Sequence, residues 1–127
     1  MNDRSAVITL GGEDYELILT TRATKEIAKR YGGLENLGEQ LMQSDNVEMA
    51  LDEVVWLIVT LANQSRLIHN LKNPNDKREL LTEEEVELLT SPADFMEYKD
   101  AITTAMNRGT KRNVESEEEP AKNAQGE

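Results

Sequence analysis

The sequence predicts a mainly α fold with a small N-terminal β-hairpin (α+β), built as a small helical domain around one long apolar helix. Three observations carry that prediction. The stretch Val54-Val55-Trp56-Leu57-Ile58-Val59-Thr60-Leu61-Ala62 has almost no polar side, so a helix there must be covered by other elements nearly all the way round. Two runs of β-forming residues flank Gly11-Gly12 near the start. Helix start and stop signals then recur along the rest of the chain.

The hairpin is expected over residues 5–20. Ser5-Ala6-Val7-Ile8-Thr9-Leu10 favours a strand, Gly11-Gly12-Glu13-Asp14 is turn chemistry, and Tyr15, Leu17 and Leu19 alternate with Glu16, Ile18 and Thr20. Two strands are marginal alone in water, so the Tyr15, Leu17 and Leu19 face must lie on the helices or on a partner's sheet. Thr20 or Thr21 then caps a first helix over 21–31, with Ala23, Ile27 and Tyr31 at i, i+4, i+8 and Gly32-Gly33 as its left-handed stop. The opposite face of that helix carries Arg22, Lys25, Lys29 and Arg30, a basic stripe whose plainest reading is a solvated surface. Leu34, Leu37 and Leu41 suggest a short second helix over 34–43, which Gly38 weakens by about 1 kcal/mol relative to alanine.

The long helix is expected over 46–71. Its β-branched centre could by itself be a buried strand, since periodicity does not separate the two for short apolar runs. The flanks decide for a helix: Asp45 with Glu48 has the spacing of a capping box, and Val47, Leu51, Val54, Ile58, Leu61, Ile68 and Leu71 recur at three- and four-residue steps or their multiples. Trp56 is expected in the core. Residues 72–78 are polar, contain Pro74 and read as a surface loop. Thr82 with Glu85 opens a short helix over 83–90 with Val86 and Leu89 inward. Ser91 as cap, Pro92 at the first position and Asp94 near the positive end open a last helix over 92–108, with Phe95, Tyr98, Ile102, Ala105 and Met106 on one face. It is expected to stop near Gly109, which makes 1–109 a single globular domain and 110–127 a disordered acidic tail.

Composition narrows the function. A 127-residue chain is one domain, and with aromatics at 4% its core must be aliphatic. Without cysteine there are no disulfides, thiolate metal sites or thiol nucleophiles. The net charge is -11. Residues 110–127 hold three basic against five acidic side chains, so the body alone is near -9. That balance argues against binding nucleic acid or an anionic membrane, both of which require concentrated positive surface. No apolar run is long enough for a membrane span, and Met1-Asn2-Asp3-Arg4 lacks a signal peptide's opening. The product is expected to stay in the cytoplasm where it is made.

Nothing in the pattern points to catalysis. His69 is the one histidine and has no second histidine or cysteine to share a metal. Glu83-Glu84-Glu85-Glu87 fits the first turn of a helix better than a cation loop. The glycine pairs lack the residues of a phosphate cradle, and no serine sits in a Gly-x-Ser-x-Gly setting. The expectation is a protein without enzymatic activity, cofactor or metal that works by contact.

The order of these features is similar to one family. A hairpin ending in Tyr15-Glu16-Leu17-Ile18-Leu19-Thr20-Thr21-Arg22-Ala23, then a helix closing in Lys29-Arg30-Tyr31-Gly32-Gly33-Leu34-Glu35-Asn36-Leu37, resembles the tail assembly chaperones of long-tailed phages and prophages of Gram-positive bacteria. The likeness continues through the apolar helix, Leu81-Thr82-Glu83-Glu84-Glu85, and the Met106-Asn107-Arg108-Gly109 exit. The resemblance implies a chaperone that binds the tape-measure protein and helps recruit tail-tube protein. It also implies self-association, a short form sharing its N-terminal domain with a frameshifted longer one, and absence from the mature virion. No family motif transfers residue by residue. The candidates for protein contact are Tyr15, Leu17 and Leu19 on the hairpin, Arg22, Lys25 and Lys29 on the first helix, and the C-terminal tail. The alternative is a small acidic adaptor or regulator that binds one folded partner.

Overall fold

A two-residue glycine turn starts the architecture. In the computed structural model, which describes residues 5–33, 37 and 47–118 and gives backbone alone for 47–49 and 111–118, strands β1 (Ser5–Leu10) and β2 (Glu13–Ile18) pair antiparallel around Gly11-Gly12. Both glycines lie in the left-handed region, at φ +58° and +84°, as the primed hairpin turns require. The register sets Ala6 opposite Leu17 and Ile8 opposite Tyr15, so these four side chains share the buried face. Val7 and Thr9 point outward.

Helix α1 (Thr21–Tyr31) is bounded as its sequence dictates. The Thr20 hydroxyl accepts from the Ala23 N–H at 3.0 Å, and Gly32 closes the helix in the left-handed conformation at φ +84°, its N–H donating to Ala28 at 2.8 Å. Ala23, Ile27 and Tyr31 are all buried. The expected helix over 34–43 and the Asp45/Glu48 capping box lie outside the described residues, although Leu37 itself is helical and buried.

Helix α2 (Val47–Lys72), helix α3 (Glu83–Leu89) and helix α4 (Phe95–Glu118) complete the order, with a 3-10 turn over Pro92–Asp94 leading into α4. The hairpin lies against both long helices, β2 chiefly on α2 and β1 chiefly on α4, and α2 also packs on α4 and α3. Val54, Leu57, Ile58, Leu61 and Ala62 fill the centre with Ile102 and Ala105 of α4.

The expectation of one long apolar helix is corrected. Among the described residues there are two long helices, of 26 and 24 residues, and of the described side chains of α2 those of its middle are the buried ones. Its last turns outrun the core: Leu67 and Ile68 are partly exposed and Leu71 is 82% exposed. Trp56 is partly buried rather than enclosed. Gly109 does not end the last helix, which continues to Glu118, so the expected disordered tail is helical over 110–118 while 119–127 lie outside the described residues. The reason is packing. A methyl group at Gly109 would come within 2.8 Å of Leu19 Cβ, so this glycine lets α4 approach the end of β2, and the about 1 kcal/mol cost of helical glycine is borne there. Ser91 and Pro92 do stand at the cap and first position of the helical segment, but Ser91 makes no side-chain cap hydrogen bond and the first turn, Pro92–Asp94, is 3-10, so the α-helix proper begins at Phe95. Thr82 and Glu85 do form the full capping box on α3, with Val86 buried, whereas Leu89 is exposed at 46% and reaches the Gly11 turn.

Candidate protein-binding surface

The residues after α2 form a strap rather than a free loop. Asn63, Arg66 and Asn70 lie at i, i+3 and i+7 of α2, one face of a helix, and each holds backbone of the returning chain. Asn63 Nδ2 donates to the Leu81 carbonyl at 2.9 Å and Asn63 Oδ1 accepts from the Leu81 N–H at 2.7 Å. Arg66 donates to the Glu79 carbonyl at 2.8 Å. Asn70 exchanges the same two bonds with Arg78, at 3.0 and 2.7 Å, and His69 Nε2 lies 2.9 Å from the Asp76 carbonyl. His69 is therefore a structural side chain that anchors the strap.

Pinning the strap creates a groove. Leu67, Ile68 and Leu71 from the last turns of α2, with Pro74 from the strap, give an open, mostly apolar hollow of about 530 Å³. Thr20 and Arg22 from the start of α1 form one rim and Lys77 another. Thr20 Oγ1 also donates to Gln64 Oε1, which ties the α1 start to α2. Neither Arg22 nor Lys77 meets a carboxylate among the described residues, and the same holds for Lys25 and Lys29 further along α1. A second hollow of about 240 Å³ between α2 and α3 has the opposite character, with Asp52 and Glu87 beside Val55 and Phe95.

The six candidates from the sequence divide sharply. Tyr15, Leu17 and Leu19 are buried in the chain's own core, Leu17 completely, because α2 and α4 cover the hairpin face. Arg22, Lys25 and Lys29 are exposed on one side of α1, and of these Arg22 borders the groove. Arg30 belongs elsewhere. Its guanidinium pairs with Glu53 at 3.1 Å and lies 4.5 Å from the Trp56 ring centre, and Tyr31 meets Trp56 edge-on at 6.1 Å. The Tyr31 hydroxyl donates to Glu53 as well. Burial pushes the Glu53 carboxyl up, and the hydrogen bonds from Arg30 and Tyr31 outweigh it, leaving the carboxyl below its ordinary value. Burial and then Glu53 itself push the Tyr31 hydroxyl up. This cluster is a clasp between α1 and α2, formed of charge-assisted hydrogen bonds. On the hairpin side Arg66 lies over the Tyr15 ring at 4.9 Å and pairs with Glu13 at 3.3 Å.

Leu67, Leu71 and Lys77 were not marked by sequence as a surface. The signal that could have found them is the apolar stripe running on through Ile68 and Leu71 beyond the point where shorter neighbours can cover it. Among the described residues no group of three or more His, Cys, Asp or Glu could hold a metal ion, and no helix is long and apolar enough to cross a membrane. Comparison of the chain with protein-family models, with curated proteins and with solved structures finds no match.

Proposed function

We propose that this chain is a tail assembly chaperone, which acts by contact and without catalysis to hold the tape-measure protein and bring tail-tube protein to it. What supports the reading is the open groove on α2, where Leu71 stands 82% exposed beside cations, Arg22 and Lys77, that meet no carboxylate among the described residues. The order of hairpin, glycine stop and helices that resembles the family supports it too. An apolar hollow open to solvent is a surface that another protein can cover. An elongated, aggregation-prone client could lay apolar side chains on successive protomers, each contact removing apolar area worth about 25 cal/mol per Å² from water. The net charge of -11 would then keep the loaded complex dispersed in the host cytoplasm, and the chaperone would leave before the virion is complete.

The test is coexpression with a phage tape-measure protein. Movement of the client from the insoluble to the soluble fraction, in a complex that copurifies, is the expected result. One-to-one binding to a folded host factor with no such rescue would replace this reading by the acidic adaptor.

A further inference from the structure

We infer that the groove between the start of α1 and the last turns of α2 seats an α-helix of the partner protein that presents apolar side chains one turn apart with carboxylates beside them. This rests on the contact role proposed above and names its surface and the chemistry it selects. The groove is open, whereas small-molecule sites enclose most of their ligand. Its lining residues include no strand residue to pair with an extended peptide and no aromatic side chain to stack on a polyproline segment, which favours the helix-in-groove mode. The floor of Leu67, Ile68, Leu71 and Pro74 takes apolar side chains.

The rims decide the flanking charge. In a chain of net charge -11, Arg22 and Lys77 border the hollow with no carboxylate among its lining residues and no ion pair of their own among the described residues. Lys25 and Lys29 extend that positive edge along α1, where Glu26 is the one acid. Acidic groups on the incoming helix would meet these cations, and a basic helix would be repelled, which is how charge sets specificity at an interface. A second copy of this chain is a poorer occupant. On its seven-residue α3 the exposed Leu88 and Leu89 are adjacent rather than one turn apart, with Glu84 and Glu85 one turn back from Leu88, and the exposed Met96 of α4 has Lys99 and Asp100 one turn on, so neither helix presents apolar side chains at the spacing the floor receives.

The probe is a pair of labelled synthetic helices of about 18 residues, long enough to be substantially helical. Both share a leucine stripe at i, i+4, i+7 and i+11, and they carry either glutamate or lysine beside it. Fluorescence anisotropy with the full chain should show the acidic helix binding about tenfold or more tightly than its basic twin at low salt. Leu71→Asp should abolish that binding, and the double variant Arg22→Glu with Lys77→Glu should invert the preference. Equal affinity for the two helices, no binding of either, or binding untouched by both variants overturns the inference. Self-association lost on both Leu71→Asp and Leu88→Asp in sedimentation overturns it too, in favour of a second copy. Coexpression separates this from the broader role. A tape-measure protein solubilised equally by wild type and Leu71→Asp sinks the groove and leaves the chaperone, while acidic-helix binding without any client rescue does the reverse.

Discussion

Replacing Gly109 by alanine sets two effects of opposite sign against each other. At an exposed position inside a helix the change would stabilise by about 1 kcal/mol, since alanine is the better helix former. At Gly109 the added Cβ would stand 2.8 Å from Leu19 Cβ, 3.0 Å from Leu19 Cδ2 and 3.2 Å from the Leu19 carbonyl oxygen. Two of those three atoms are fixed to the backbone between the end of β2 and the Thr20 cap, so no rotamer change clears them. Overpacking of this kind costs about 1–3 kcal/mol. The structure also ties α4 down one residue earlier, where Arg108 donates to the Ser5 carbonyl at 2.7 Å, so the helix cannot easily slide away. The expected net effect is a loss of about 1 kcal/mol, which is a fall in midpoint of about 4 °C for a domain of this size. Urea and thermal unfolding followed by circular dichroism would read it. Leu19→Ala removes Cδ2 but keeps Cβ and the carbonyl, so it should fail to rescue Gly109→Ala. A midpoint that rises in the single variant would refute the close approach of α4 to β2.

Other expectations follow from individual contacts. Glu53→Gln should destabilise the protein at neutral pH, with a gap from wild type that closes in acid. The Glu53 carboxyl is held below its ordinary value of 4.5 in the fold, so its contribution is fully present above about that pH and is lost as pH falls through the folded value; urea midpoints at pH 7 and pH 3 would show it, and an unchanged gap would contradict the clasp. Asn63→Ala should cost about 1–3 kcal/mol by leaving both the Leu81 N–H and carbonyl without their partner, and hydrogen exchange should rise first in residues 73–81. Leu17→Ala, at a completely buried position, should cost about 2–5 kcal/mol. Leu71→Asp, at an exposed one, should move stability by no more than about 0.5 kcal/mol while removing client rescue.

What could be read from the residues in order is what local chemistry decides. Gly11-Gly12, the Thr20 cap, the Gly32 stop and the Thr82/Glu85 box each satisfy or turn backbone within a few positions of themselves, and the Ala23, Ile27, Tyr31 and Phe95, Tyr98, Ile102, Ala105 stripes need only helical periodicity to declare their buried face. Where the reading missed, the deciding partner lay far away in sequence. Gly109 has the composition of a helix stop, and only its contact with Leu19, ninety residues earlier, makes it a packing residue instead. Tyr15, Leu17 and Leu19 form an apolar hairpin face that a partner could have covered; α2 and α4 cover it, which a period-2 pattern cannot reveal. The groove is the strongest case. Arg22 reads as one of four cations on a solvated helix face, and Lys77 as part of a polar loop. They become two rims of one apolar hollow because Asn63, Arg66 and Asn70, side chains that sequence alone marks as an ordinary polar helix face, fasten the strap alongside α2. The surface proposed for contact therefore depends on a polar ladder, and weakening that ladder should impair client binding even with every groove residue unchanged.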